Sequence, residues 1–209
     1  MPSLRHRQRS QQEATRNPAP RRGNPDDATE WRNLPPAYSI FDLLDMIENV
    51  GAVCHTYYRR AESRGAPRPL VVEFFEEGSP NLLSTIDDQI QFNGYEPNIT
   101  YGLPRMCPIG RPTYDGRLIS RFLLITGPTT VVGAGNLYNL FREFAFKTTN
   151  VTEHQSEDGR SIIARVLVAF DSYYSGARPA LEIILGQKQR ADLPADLIVA
   201  WNSVTCSYY

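Results

Sequence analysis

The sequence predicts an α+β fold: a single domain with a mixed or antiparallel sheet of about five strands and about three helices, preceded by a disordered basic N-terminal arm. From residue 39 onward, apolar runs of strand length alternate with segments of helical periodicity. Turns rich in glycine and proline separate these runs. The first 38 residues show neither pattern. We therefore expect an Arg-rich arm over residues 1–38 and a globular domain over residues 39–209.

The first predicted helix begins directly after the arm. Ser39 is a good N-cap, and Asp42 follows three residues later, as in a capping box with Asp in place of Glu. Apolar residues then recur at helical spacing along one face, namely Ile40, Leu43, Leu44 and Ile47. The segment that follows, 53–58, fits either a strand or a further helical turn.

The remaining elements follow from apolar runs and their boundaries. The predicted strands are 70–75, 117–126, 161–170, 180–185 and 197–206, and the predicted helices are 80–92 and 135–147. Residues 93–116 contain four glycines and four prolines, which predicts a long loop. A polar turn is expected over 153–159.

The arm carries most of the charge asymmetry of the chain. The whole sequence has 22 basic and 23 acidic residues, but residues 1–25 contain six arginines and only one acid, Glu13. Such a segment suggests an anionic partner, either nucleic-acid phosphate or lipid headgroups. The arginines predicted to bind membrane or phosphate are Arg5, Arg7, Arg9, Arg16, Arg21 and Arg22.

The three cysteines indicate neither a disulfide framework nor a CxxC pair, because Cys54, Cys107 and Cys206 are widely spaced and odd in number. The sequence has no secretory signal and no apolar run of membrane-spanning length. We therefore expect a soluble protein of a reducing compartment, with no metal site and no cofactor.

A short proline motif lies at the end of the arm. Pro35, Pro36, Ala37 and Tyr38 match PPxY, the ligand of WW domains, and Leu34 extends its apolar edge. Two prolines hold the backbone near polyproline II, so little conformational entropy is lost on docking. The sequence predicts that Leu34, Pro35, Pro36 and Tyr38 contact a WW domain.

No residue pattern indicates catalysis. The glycine-rich segment 127–135 fails both phosphate-loop spacings, so its glycines are expected to shape a turn and pack a helix. Cys54 and His55 are adjacent, which in a regular strand would direct them to opposite faces. We expect no catalytic residue and no enzymatic activity.

The basic arm, the run Glu30-Trp31-Arg32-Asn33-Leu34-Pro35-Pro36-Ala37-Tyr38 and a single α+β domain together resemble the matrix proteins of rhabdoviruses and related negative-strand RNA viruses. This resemblance implies a structural protein of the virion, located in the host cytoplasm and at the inner face of the host membrane. Its partners would be an anionic membrane surface, the viral nucleocapsid, further copies of itself and HECT-type ubiquitin ligases with WW domains, recruited for budding through PPxY.

Two alternatives stay open from the sequence. One is a viral capsid or nucleic-acid-binding coat protein, in which the basic arm neutralises phosphates. The other is a cellular adaptor that presents PPxY to a ligase.

Overall fold

The secondary structure of the chain is seen in a computed structural model, which describes residues 28–61, 63–76, 79–92, 94–107, 110–156, 159 and 161–209. The strands in these ranges are β1 (Ala28–Arg32), β2 (Val53–Tyr58), β3 (Leu70–Phe74), β4 (Asn98–Leu103), β5 (Thr113–Tyr114), β6 (Arg117–Leu118), β7 (Phe122–Pro128), β8 (Phe146–Gln155), β9 (Ile162–Phe170) and β10 (Thr205–Tyr208). The helices are α1 (Ile40–Met46), α2 (Ser79–Leu83), α3 (Thr129–Val132), α4 (Ala134–Phe141), α5 (Arg178–Lys188) and α6 (Ala195–Ser203). The predicted α+β class with antiparallel sheets is confirmed.

The strands form two separate four-stranded sheets with the same topology. The first sheet has the order β2-β3-β1-β4, and the second has the order β10-β7-β9-β8, with every neighbouring pair antiparallel. Each sheet is built from a strand, a helical segment, two strands, a second helical segment and a final strand. This is the split βαβ, or ferredoxin-like, arrangement, and the chain contains it twice in tandem. We call the two copies the first unit (residues 28–103) and the second unit (residues 122–209).

Each unit has its own apolar core between its sheet and its helices. In the first unit, Trp31, Leu43 and Val72 belong to a buried cluster. The core of the second unit is larger and is centred on side chains such as Phe141 and Phe170. Residues of the first unit and the connecting segment, among them Phe75 and Cys107, are buried in this second core. The two units are therefore packed against each other.

The first strand lies where the sequence predicted disorder. β1 pairs with β3 on one side and β4 on the other, and Trp31 is fully buried. The predicted boundary of the arm at residue 38 is therefore wrong, since the folded chain includes residues 28–38. Composition misled here because Trp31 is the only large apolar side chain in the strand, and its burial depends on partners far along the chain. Residues 1–27, with all six arm arginines, lie outside the described ranges.

Several predicted elements changed type. Residues 180–185 belong to helix α5, where Ala180, Leu181 and Ile184 are buried at helical spacing. Residues 195–203 form α6, and strand structure returns only in β10. The predicted loop 93–116 contains β4, and β8 occupies the segment predicted to end a helix and form a polar turn. The strands 70–75 and 161–170 and the Ser39 cap are confirmed, since the Ser39 side chain accepts the Phe41 N–H. None of the helices in the described ranges is long and apolar enough to cross a bilayer.

We expect Trp31→Ala to destabilise the protein by about 3–5 kcal/mol, because it removes a large, fully buried ring from the centre of the first sheet. The measurement is urea unfolding followed by circular dichroism. Val199→Ala, at a position that is 70% exposed, is the control and should change the unfolding free energy by less than about 0.5 kcal/mol. Equal stability of the two variants would contradict the inclusion of β1 in the core.

Candidate nucleic-acid interface

Each sheet has one face covered by its own helices and one face turned away from them. On the first sheet, the second face carries Glu30 and Glu73 on the two central strands. Both carboxylates are nearly or fully buried. Arg32 and Arg59 contact Glu30 at 2.7 and 2.5 Å. The two carboxylates are therefore shut off from solvent, and Glu30 is ion-paired with two arginines.

The segment after β4 covers the same face next to Glu73. The Glu73 carboxylate accepts the backbone N–H of Met106 at 3.1 Å and that of Cys107 at 2.9 Å. A disulfide joins Cys54 in β2 to Cys107. The expectation that the cysteines would not pair is therefore wrong, because tertiary folding brings together two residues 53 positions apart. Cys206 is the free cysteine among the described residues, and burial raises the pKa of its thiol to about 12.

The corresponding face of the second sheet stays open to solvent. Along β7, buried and partly exposed residues alternate, with Leu123 and Ile125 directed into the core. Phe122 and Leu124 therefore point to the other face. The pairing of β9 with β7 places Leu167 and Arg165 beside them, and the hydrogen bond from the Tyr209 N–H to the Phe122 carbonyl places Tyr209 at the same edge. We define the open face by Phe122, Leu124, Arg165, Leu167 and Tyr209.

A groove runs over the open face and ends against the first unit. It consists of a cavity of about 660 Å³ and a smaller one of about 190 Å³, which share Leu167 and Tyr209 as lining residues. The larger cavity lies between the second sheet and the α1 region of the first unit, including Asp45 and Glu48. The smaller one lies over the β7–β9–β8 side and is lined by Arg165. The groove therefore needs both units.

The charges that line the groove are mainly positive. Four basic side chains, Arg111, Arg121, Lys147 and Arg165, stand against two acidic ones, Asp45 and Glu48. Asp45 contacts both Lys147 at 2.7 Å and Arg121 at 3.5 Å. These contacts tie helix α1 to the second sheet.

Arg121 occupies an unusual position for a cation, because its side chain is only 6% exposed. Burial lowers the pKa of its guanidinium, while the nearby Asp45 carboxylate opposes this shift. The guanidinium donates to the Phe170 carbonyl at 3.1 Å and lies 4.2 Å from the centre of the Phe122 ring. Phe122 is thus fixed at the edge of the open face by a cation–π contact.

This arrangement is suited to binding a chain of flat, charged units. Tyr209 is 66% exposed and offers a ring on which a base can stack. Leu124 and Leu167 give an apolar floor beside it, and Asn150 and Thr152 give hydrogen-bonding groups along the smaller cavity. The rim carries arginine and lysine side chains, which are the residue types that commonly contact phosphates in nucleic-acid complexes.

The structure gives the PPxY motif a different environment from the predicted disordered arm. Pro35 is buried, Pro36 and Ala37 form an exposed turn, and Leu34 packs against the core of the first unit. The Tyr38 ring meets Phe92 edge-on at 5.9 Å. Its hydroxyl pairs with that of Tyr58 at 2.8 Å. Burial and this hydrogen bond raise the pKa of the Tyr38 hydroxyl.

The other residues singled out in the sequence do not converge on the groove. A β-bulge between Val53 and His55 places His55 opposite Glu73, so the expected regular alternation at Cys54-His55 is broken. At Gly127, an added Cβ would lie 2.8 Å from a Val204 methyl group. The glycine-rich segment therefore supports close helix–strand packing at this point. The six arm arginines lie outside the described residues.

Sequence reasoning missed the open face. β7 and β9 are nearly continuous apolar runs, and such runs are expected to be buried on both faces. One signal was available: Arg165 interrupts the apolar run of β9 at a position that alternation assigns to the face opposite Ala164 and Val166. No local sequence pattern predicts that Asp45 and Glu48 of the first unit line the groove.

No family model and no curated protein matches this chain. Among solved structures, the two RNA-recognition domains of Sex-lethal from Drosophila melanogaster are similar over 87% of this chain and 99% of that chain, with 12% identity and a TM-score of 0.29. The first two RRM domains of the yeast poly(U)-binding protein Pub1 are similar over 79% of this chain and 93% of that chain, with 18% identity and a TM-score of 0.32. A Sex-lethal protein–RNA complex is similar over 90% of this chain and 100% of that chain, with 11% identity and a TM-score of 0.31.

The described chain forms two four-stranded sheets of the same split-βαβ topology, and the PPxY segment packs on the first of them through Tyr38. The resemblance to rhabdovirus matrix proteins is therefore wrong. The predicted late-domain and budding function is wrong with it, as are the partners assigned on that basis: a WW-domain ubiquitin ligase, an anionic membrane surface, a nucleocapsid and further copies of the chain.

We expect Tyr38→Ala to lower the melting temperature, because the ring contact with Phe92 and the hydrogen bond to Tyr58 are both lost. Tyr38→Phe keeps the ring and should cost only about 0.5–1.5 kcal/mol, the usual net value of one hydrogen bond. Tyr95→Ala, at an exposed tyrosine of the same unit, is the control. Thermal melts of the three variants are the measurement. A melting temperature for Tyr38→Ala as high as that of the control would mean that the motif does not pack on the first unit.

Proposed function

We propose that this protein binds single-stranded nucleic acid in the groove over the open face of the second sheet, and that it acts by binding alone, without catalysis. The observation that carries the proposal is the combination of an exposed, partly aromatic sheet face with a mainly basic rim. This function belongs to the nucleic-acid-binding alternative that the sequence left open.

Stacking on the open face would supply the sequence-independent part of the binding energy. Tyr209 offers a free ring face, and Leu124 and Leu167 lie beside it in the floor of the groove. A four-stranded antiparallel sheet of this kind accommodates about two or three splayed bases. Bases in a duplex have their faces covered by neighbouring pairs, so an open sheet face favours single strands.

Phosphate contacts would come from the rim and the arm. Arg165 is exposed, and no ion pair to it is found among the described residues. Lys147 is 36% exposed and shares Asp45 with Arg121, so its charge is available only in part. The sequence of residues 1–25 adds six arginines against one acid, which would attract the phosphates of the same strand over a longer range.

The two sheets are not equivalent in this proposal. A nucleic acid cannot reach the centre of the first sheet, because Glu30 and Glu73 are buried there and the segment after β4 covers the face beside Glu73. The first unit contributes the wall of the groove at Asp45 and Glu48 instead. The binding site is therefore composite.

We expect Tyr209→Ala to weaken binding of single-stranded RNA by roughly 1–3 kcal/mol, or about five- to 150-fold, because one stacking surface is lost. Tyr138→Ala is the matched control, since Tyr138 is equally exposed (65% against 66%) but lies on α4, away from the groove. The measurement is fluorescence anisotropy of a labelled mixed-sequence RNA, repeated with DNA of the same sequence.

Tighter binding of RNA than DNA would show that 2′-hydroxyl groups are contacted, and equal binding would show a site for any single strand. Failure of the wild-type protein to bind either probe at low salt would overturn the proposal. An equal effect of the two tyrosine substitutions would place the site elsewhere.

Charge substitutions on the groove should act in opposite directions. Glu48→Lys removes an acid from the groove wall and is expected to strengthen binding several-fold at low salt. Arg165→Glu should weaken binding and reduce the slope of log affinity against log salt by about one. Glu143→Lys and Arg142→Glu make the same charge changes at exposed positions outside the groove and are the controls. Identical salt slopes for groove and control variants would contradict the proposed rim.

A further inference from the structure

The proposed nucleic-acid site leaves one buried cluster of reactive side chains unused. Cys54, Cys107 and Glu73 lie together beneath the segment that closes the first sheet. We propose that, when the disulfide is reduced, these three residues bind a zinc-type divalent cation, which then holds the covering segment on the sheet in place of the disulfide.

The geometry already brings the ligand atoms together. The two sulfur atoms and a Glu73 carboxylate oxygen all lie within 4.8 Å of one another, and all three residues are buried. The β2 bulge contributes to this arrangement, because it inserts Cys54 opposite the Glu73 region of β3. The second cysteine arrives from the segment after β4, 53 residues later in the chain.

The donor set suits zinc in particular. Thiolate sulfur and carboxylate oxygen are both regular zinc ligands, with distances of about 2.3 and 2.1 Å. Tetrahedral coordination requires the sulfur atoms to move from bonding distance to about 3.8 Å apart. The Cα atoms of the two cysteines are 6.7 Å apart, so rotation of the side chains can provide this separation without a large movement of the backbone.

The carboxylate is also held in place before any metal arrives. Glu73 accepts the N–H groups of Met106 and Cys107, which orient it beside the cysteine sulfur atoms. Such outer hydrogen bonds are a usual feature of metal sites. The fourth coordination position falls to water, since the cluster within 4.8 Å offers three protein ligands among the described residues.

The change between the two states is a balanced exchange. A dithiol reductant gives up two electrons and two protons, becomes a disulfide itself and leaves Cys54 and Cys107 as thiols. The incoming cation then displaces the two thiol protons, and two metal–sulfur bonds form. Two protons leave as the dication enters, so the net charge of the cluster does not change, and the Glu73 carboxylate gains a bond to the metal beside its hydrogen bonds from Met106 and Cys107.

The test is a cobalt(II) titration of the reduced full-length protein without oxygen, followed by zinc. Reduced wild-type protein should bind one cobalt ion per chain with a sulfur-to-cobalt charge-transfer band, and zinc should remove that band. The oxidised protein has the same sequence and should show no band. Cys206→Ser is the matched control for the loss of a thiol and should behave as wild type, since Cys206 lies outside the cluster.

Cys54→Ser and Cys107→Ser should each lose the two-sulfur spectrum, and Glu73→Gln should weaken cobalt binding by at least about ten-fold. Zinc should also raise the melting temperature of the reduced wild-type protein but not that of the oxidised protein. Absence of the band in reduced wild-type protein would overturn the proposal, even if the cysteine variants fail to fold. Cobalt binding that is unchanged in Glu73→Gln, or in a variant that carries both Cys54→Ser and Cys107→Ser, would overturn it as well.

Discussion

The buried carboxylate of Glu73 is the constraint on which the arrangement of the two units depends. A charged group without solvent must be compensated, and Glu73 receives this compensation from the backbone of Met106 and Cys107. The chain after β4 therefore has to fold back over the first sheet. The disulfide from Cys107 to Cys54 fixes it there, and Cys54, Phe75 and Cys107 become part of the core of the second unit. One local electrostatic requirement thus joins the two cores.

The same requirement explains why two units of identical topology present different sheet faces. The first sheet has acids on its central strands, and its second face is closed. The second sheet has Phe122, Leu124 and Leu167 at the equivalent face, and nothing in the described part of the chain covers them completely. Apolar side chains that stay partly exposed together on one sheet face indicate a binding surface. The first unit supports this surface from the side, through the contacts of Asp45 with Arg121 and Lys147.

The PPxY segment shows how a short motif depends on its tertiary setting. Its two prolines and tyrosine satisfy the pattern of a WW ligand, and the sequence before them predicted a disordered arm. In the structure, β1 anchors the residues just before the motif, and α1 begins directly after it. The motif is therefore the β1–α1 connection, in which Pro35 and Tyr38 serve packing. Four residues alone do not distinguish a turn on a folded unit from a free ligand.

The sequence by itself determined the features that rest on local patterns. The α+β class, the Ser39-capped helix and the apolar strands at 70–75 and 161–170 follow from capping chemistry and from apolar runs of strand length. Periodicity is weakest in short or mixed segments, and there the outcome depended on partners. Residues 28–32 became a central strand because β3 and β4 flank them, and residues 180–185 became a helix because one face packs on the second core.

Only the tertiary structure decided which surfaces meet. The pairing of Cys54 with Cys107 and the groove between α1 and the second sheet join residues that are dozens of positions apart. A local sequence pattern does not predict such contacts, because the residues of each element are already explained by its own secondary structure and do not identify a distant partner. The sequence also did not predict that one topology occurs twice. The repetition follows from the order in which the strands pair in the two sheets.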